Sequence, residues 1–354
     1  MKRLFLLVLP LLLTACQQNG PSDGTDHYQV ISGQTMGTTY NISYADVEGR
    51  NLKKEIDALL VEVNLDLSTY IDTSLISRFN DSEKGLQLQE NYVSAHSPHR
   101  HFLMNYYRAK EVYAQTAGSF NPTVMPLVNY WGFGKERKKV EEVDQEKIDS
   151  LLQLVNFDAI QLDEATRFLG KGKAGVQLDF SAIAKGYGVD VVCELLDQED
   201  INNYMVEIGG EVRAKGKSQS NDFWKIGINT PKADAGLGAL EAIVYLKNSA
   251  LASSGDYRNY HEVNGIKYGH TIDPKTGRSR ENRLLSASIF AEDCMTADAY
   301  ATACMVMGQD KAFALVEKQP KLEAYFIYGD DEGQLAVKYT DGLKDWLIST
   351  NGKQ

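Results

Sequence analysis

Asp298 and Thr302 stand four residues apart in Met295–Met307, a run of small and apolar residues that reads as a helix. That spacing puts both side chains on one face. A carboxylate and a hydroxyl there are hard oxygen donors, suited to Mg²⁺ or Ca²⁺ rather than to a soft metal. Mg²⁺ leaves much of its shell to water and phosphate oxygens, so two side chains suffice where a phosphate-bearing ligand completes it. The same pair has a plainer explanation: Thr302 bonded back to a helix carbonyl, and Asp298 capping the helix or paired with a cation. Spacing alone leaves both open.

A second stretch with chemical potential is Gln177–Asp190, Gln-Leu-Asp-Phe-Ser-Ala-Ile-Ala-Lys-Gly-Tyr-Gly-Val-Asp. Val176, Leu178 and Phe180 alternate with polar neighbours, which predicts a short strand. Ser181 is placed as a helix N-cap, and a helix is expected over residues 182–197. A strand handing over to a helix at small residues exposes backbone N–H groups, a setting for phosphate. An ordinary strand-to-helix turn accounts for the same residues, since the glycines match neither the dinucleotide-fold nor the P-loop pattern. His270 stands alone before the turn Asp273-Pro274, as a general acid–base group or as a structural histidine. Arg258 follows Ser253-Ser254-Gly255 and is placed to grip a phosphate with both arms of its guanidinium. The six histidines show no zinc spacing; His96, His99 and His101 fall at a helix start and are expected to be exposed. No Gly-x-Ser-x-Gly elbow is present.

These residues need a scaffold. Residues 28–44 read as two strands or one bent one, residues 51–67 as a helix with one buried face, and residues 74–80 as a short helix or turn. A helix over residues 97–116 ends at the loop Ala117-Gly118-Ser119-Phe120-Asn121-Pro122-Thr123. After a short helix at residues 148–155 and a hairpin over 157–173, strands are expected at 203–210, 212–217, 224–229 and 240–246. Residues 252–260 read as a polar turn, followed by a strand pair that leads to His270, a strand at 284–291, the helix carrying Asp298, and three final strands at 324–328, 335–339 and 346–349. The succession predicts an α+β fold of largely antiparallel sheets with inserted helices.

The chain's 354 residues, 43% hydrophobic, suffice for a large core. A net charge of -11 argues against non-specific nucleic-acid binding. At the N-terminus Lys2 and Arg3 precede an apolar run, Leu4–Leu13, too short to span a bilayer, then Leu13-Thr14-Ala15-Cys16. The pattern resembles a lipoprotein signal: residues 1–15 removed, Cys16 lipidated, residues 16–27 a polar tether, and residues 28–354 the folded domain. Cys193, Cys294 and Cys304 lack Cys-x-x-Cys spacing. On one helix Cys294 and Cys304 would lie about 15 Å apart, beyond disulfide reach, so all three read as small buried residues.

An ordered set of motifs runs through nearly all of the mature chain. It comprises Met36-Gly37-Thr38-Thr39-Tyr40, Leu67-Ser68-Thr69-Tyr70, Gly118-Ser119-Phe120-Asn121-Pro122-Thr123 with Trp131-Gly132-Phe133-Gly134, Asp179-Phe180-Ser181 to Gly186-Tyr187, Gly209-Gly210, Ser253 to Tyr260, His270 to Pro274, and Thr296 to Thr302. The set resembles the ApbE family of FAD:protein FMN transferases. The resemblance implies an ApbE-like, T-fold-related architecture and a site for FAD and Mg²⁺. Met36, Tyr70, Ser119, Phe120, Asn121, Asp179, Lys185 and Ile272 match FAD-contacting positions; Asp298, Thr302 and the main-chain carbonyl of Ala182 match metal positions. Two positions depart from the pattern: Ala301, where many members carry a second Asp, and Lys185, where some carry Glu. The implied reaction moves FMN from FAD to a threonine hydroxyl of a partner protein and releases AMP. Asp298 is expected to hold the metal and His270 to handle the proton. Hydrolysis of FAD to FMN and AMP, or flavin binding without catalysis, are the competing expectations. The acceptors implied are subunits of membrane redox pumps of the Na⁺-translocating NADH:quinone reductase (Nqr) or Rnf type, met by a lipid-anchored protein facing the periplasm or exterior.

Overall fold

Strands β1 (His27–Thr35) and β2 (Thr38–Asp46) pair antiparallel with Thr35 opposite Thr38, so only Met36-Gly37 joins them. Both linking residues have positive φ, 50° and 72°. This is the two-residue turn whose twist matches right-twisted strands. The computed structural model describes residues 27–89, 99–135, 137, 140–231, 239–255, 260–263 and 266–350. After the hairpin come α1 (Lys53–Leu67), α2 (Leu75–Asp81), β3 (Gly85–Gln87), α3 (Arg100–Gln115), α4 (Met125–Tyr130), α5 (Gln145–Leu152), β4 (Ile160–Asp163), β5 (Phe168–Lys171) and α6 (Ala184–Gln198). The second half holds β6 (Tyr204–Ile208), β7 (Glu211–Lys215), β8 (Trp224–Asn229), β9 (Leu240–Leu246), β10 (Ser249–Gly255), β11 (Tyr260–Val263), β12 (Ile266–Gly269) and β13 (Leu284–Ala291). It closes with α7 (Cys294–Met307), α8 (Gln309–Val316), β14 (Glu323–Gly329), β15 (Leu335–Tyr339) and β16 (Leu347–Thr350).

Eight strands form one antiparallel sheet in the order β1-β2-β6-β7-β10-β13-β14-β15. Alternation along its strands gives it two apolar faces. Tyr40, Ile42, Val206 and Ile208 point to α1 and α6, where Ile56, Leu60, Val189 and Val192 meet them. Val212, Leu251, Phe290 and Tyr325 point the other way, to Trp224 and Val244 of a small sheet, β16-β9-β8. Helix α7 is apolar nearly all round and packs against α6, β10 and β13. The expected α+β class with largely antiparallel sheets is the one found.

Several local expectations are corrected. Residues 176–180 form no strand. Val176, Leu178 and Phe180 are buried as their alternation requires, but the backbone partners are not a neighbouring strand. The Leu178 N–H donates to Asn80 Oδ1 (2.7 Å), Asn80 Nδ2 donates to the Leu178 carbonyl (2.7 Å), and the Asp179 N–H donates to the Pro122 carbonyl (2.8 Å). Ser181 does not cap α6, which starts at Ala184 without a side-chain cap; the Ser181 N–H instead donates to Asp179 Oδ1 (2.8 Å). The supposed turn at 252–260 begins as strand β10, held between β7 and β13. His99 and His101 are not exposed: His99 is buried and His101 Nδ1 lies 2.8 Å from the Tyr187 hydroxyl. His96 lies outside the described residues. Cys193, Cys294 and Cys304 are free and buried, as expected.

Candidate functional site

The site is a cleft of about 300 Å³ between α7, the start of α6, the end of β10, the loop after α3, and the turn that follows β12. That volume is at the low end for small-molecule sites. Asp298 and Thr302 reach it from α7, one turn apart. Helix α7 is fixed at its first turn by buried Asp190 of α6, whose carboxylate accepts the N–H groups of Cys294 (2.9 Å) and Met295 (2.8 Å) and pairs with Arg213 (2.7 Å). Asp293 caps the same helix through the Thr296 N–H (2.8 Å). One turn further, the Gly186 N–H donates to Asp298 Oδ2 (3.0 Å). The helices touch closely here, because a Cβ on Gly186 would lie 2.3 Å from the Cys294 carbonyl oxygen.

This geometry bears on the plainer explanation of the Asp298–Thr302 pair. Asp293, not Asp298, caps α7. The Thr302 hydroxyl has no hydrogen-bond partner among the described residues, so it does not bond back to the helix. Asp298 is 6% exposed, and burial raises its carboxyl pKa despite the opposing Lys185 charge and Gly186 N–H. Ala182, just before α6, lines the same cleft. Asp298, Thr302 and Ala182 thus line one cleft, and a carboxylate, a hydroxyl and a main-chain carbonyl are donor types that suit a hard cation such as Mg²⁺.

Lys185 enters the cleft from α6 and forms an ion pair with Glu211, the first residue of β7. Burial alone would push the Lys185 ammonium down, but Glu211 and Asp298 outweigh it and hold its pKa above the ordinary lysine value. Burial raises the Glu211 carboxyl; Lys185 opposes the shift and Asp298 adds to it. Glu211 carries no motif signal beyond following Gly209-Gly210, and sequence reasoning missed it.

The other expected residues are distributed as follows. Ser119, Phe120 and Asn121 line the cleft from the loop after α3, where Ala117 and Gly118 both take positive φ, 49° and 79°. Asn121 Oδ1 accepts from the Thr123 N–H (2.9 Å) and hydroxyl (2.7 Å), which holds the loop in shape. Asp179 lies beside it on the Pro122 carbonyl, its pKa raised by burial. Tyr70, 55% exposed, stands on the rim. His270 and Ile272 come from the turn after β12, secured by Trp131: the indole N–H donates to the Gly277 carbonyl (2.8 Å) and the ring stacks on Tyr268 at 4.8 Å. The His270 ring meets the edge of Phe133 at 6.2 Å. Met36 is not in the cleft lining; its side chain packs over Gly188 on α6. Arg258 and Cys16 lie outside the described residues.

Known proteins share this fold. The ApbE family model matches residues 36–326, which include every site residue described above except Cys16. The chain belongs to the ApbE family. Among ApbE relatives, the FAD:protein FMN transferase of Haemophilus influenzae is 38% identical over 337 residues, 92% of each chain. The one from Vibrio cholerae is 37% identical, covering 96% of this chain and 95% of the relative. The solved flavin transferase ApbE of Vibrio cholerae superposes with a TM-score of 0.80 at 35% identity, covering 91% of this chain and all of that one. The apo flavinyl transferase ApbE of Pseudomonas stutzeri gives 0.78 at 30% identity, over 92% and 98%.

Proposed function

We propose that this chain is an FAD:protein FMN transferase that uses Mg²⁺ and a threonine hydroxyl of a partner protein. The observation that carries this is convergence. Asp298, Thr302 and Ala182 line one cleft with Ser119, Asn121, Asp179, Lys185 and His270, drawn from segments far apart in the chain. The relatives' shared activity gives that cleft its substrate, FAD.

In the step proposed, the threonine oxygen forms a bond to the FMN-side phosphorus as the bridging P–O bond breaks. AMP departs with the bridging oxygen and its electron pair. Asp298, Thr302 and the Ala182 carbonyl would hold Mg²⁺, which supplies neutralisation of pyrophosphate charge. Lys185 adds a fixed positive charge on the same wall. Ser119, Asn121 and Asp179 orient the dinucleotide through hydrogen bonds, and Phe120 and Ile272 give it apolar contact. His270, at the cleft edge, takes the threonine proton on an imidazole nitrogen. Cys16 carries the lipid, so the domain works at a membrane, facing the periplasm or exterior, on acceptor subunits of Nqr- or Rnf-type redox pumps.

The test is incubation with FAD, MgCl₂ and a candidate acceptor, followed by mass spectrometry of the acceptor and measurement of AMP. An FMN adduct on threonine with matching AMP is expected. AMP without adduct makes the chain an FAD hydrolase; neither product overturns catalysis.

A further inference from the structure

Glu211 is 2% exposed and lines the cleft from β7. One of its carboxylate oxygens pairs with Lys185 Nζ. The other, Oε2, is buried and has no hydrogen-bond partner among the described residues. An unpaired carboxylate oxygen away from water is costly, so its persistence in a cleft needs an occupant that repays it.

The neighbouring oxygen set needs what Glu211 has. Asp298 is the one carboxylate on α7 and lines the cleft, and position 301, one turn on, is a buried alanine. With Thr302 and the Ala182 carbonyl, the protein offers a divalent cation a single formal negative charge. Helix α7 packs on β7 at this point, with Cys294 Sγ 3.7 Å from the carbonyl oxygen of Val212, the residue after Glu211. Asp298 follows Cys294 by one helical turn. Glu211 and Asp298 thus enter the same cleft from adjoining elements.

We infer that Glu211 is a further ligand of the divalent cation, binding through Oε2 and supplying from β7 the second carboxylate that α7 lacks at Ala301. Lys185 on the other oxygen is the outer partner that orients a ligating carboxylate and leaves one lone-pair face for the metal. The inference rests on the Mg²⁺-dependent reading above.

The test measures metal binding itself, without FAD or acceptor. Mn²⁺ is titrated into the apo protein and followed by electron paramagnetic resonance and calorimetry, with the metal-induced rise in melting temperature recorded alongside. Glu211→Gln keeps the shape and is expected to weaken Mn²⁺ binding at least tenfold and shrink the thermal rise. Glu211→Gln with Ala301→Asp should recover most of the affinity. If Glu211 merely neutralises Lys185, Glu211→Gln with Lys185→Met would bind Mn²⁺ as the wild type does, and that result overturns the inference; continued weak binding supports it. Wild-type affinity in Glu211→Gln also overturns it. Should the Gln variant not fold, Glu211→Asp, with its carboxylate drawn back by one methylene, must weaken binding, and unchanged affinity there counts against the ligand. A wild type that binds no divalent cation defeats the Mg²⁺-dependent reading itself.

Discussion

Gly186→Ala tests whether the α6–α7 crossing positions the metal carboxylate. The added Cβ would sit 2.3 Å from the Cys294 carbonyl oxygen, 2.7 Å from its carbon and 2.9 Å from Asp298 Cβ. Two of those three atoms are backbone and cannot swing aside. Restoring ordinary contact, near 3.4 Å, requires α7 to retreat by roughly 1 Å. That retreat stretches the 3.0 Å bond from the Gly186 N–H to Asp298 Oδ2 beyond useful length. Overpacking costs about 1–3 kcal/mol and the charge-assisted bond about 1.5–3 kcal/mol, against a gain of about 1 kcal/mol in helix propensity. A net loss of about 2–5 kcal/mol follows, and a misplacement of ~1 Å at a reacting centre costs about 10²-fold in rate. The assay pairs thermal melting with initial rates of FMN transfer at saturating FAD. Gly188→Ala is the internal control: its Cβ would meet Met36 Cε at 2.8 Å, the end of a flexible side chain. It should melt within about 1 kcal/mol of wild type and keep most of its rate. Wild-type rate and metal affinity in Gly186→Ala would refute the claim that this crossing sets Asp298.

His270→Ala should lower the FMN transfer rate by about 10²–10⁴-fold while FAD quenching titrations stay near wild type; an unchanged rate removes His270 from the proton step. Burial pushes the Asp66 carboxyl, which accepts from the Phe102 N–H at 3.3 Å, up to about 7. Because this acid's pKa is higher folded than unfolded, the native state binds the extra proton between about pH 4 and 7, and Asp66 costs stability as pH rises through that window. Asp66→Asn should therefore stabilise the protein at pH 8 and flatten the pH dependence of chemical denaturation; equal slopes in both proteins would count against it. Cys16→Ser should move the protein from the membrane fraction to the soluble fraction without altering transfer by the folded domain; membrane retention after the change rules out the lipid anchor.

The one-face pairing of Asp298 and Thr302 is legible because helical spacing determines it. Alternation makes Trp224–Asn229 legible in the same way, and Leu284–Ala291 is legible as a largely apolar run of strand length. Residues 176–180 mislead because alternation reports burial, not hydrogen-bond partners; those come from Asn80 and Pro122, far away in sequence. Ser253-Ser254-Gly255 has turn composition, yet pairing with Ser288, Ala287 and Ser286 of β13 keeps it in the sheet as the end of β10. His101 looks like a polar helix-start residue, and only the fold brings it to the Tyr187 hydroxyl, where it is half-buried. Glu211 is indistinguishable from any acidic residue opening a strand until Lys185 and α7 close over it. The site's pieces are readable singly, while their mutual approach depends on long-range packing.

Asp190 ties the first turn of α7 to α6, and the proposed metal pair on α7 comes after about five-sixths of the chain. A chain growing from N- to C-terminus therefore acquires the loop after α3, the segment before α6 and six of the eight strands of the main sheet before Asp298 and Thr302. Any product cut short ahead of residue 298 lacks Asp298 and Thr302, the proposed cation pair, as well as most of the helix that seats them. On the proposed mechanism, catalytic competence is thereby withheld until synthesis and folding are nearly finished, so an unfinished chain has no means of spending FAD.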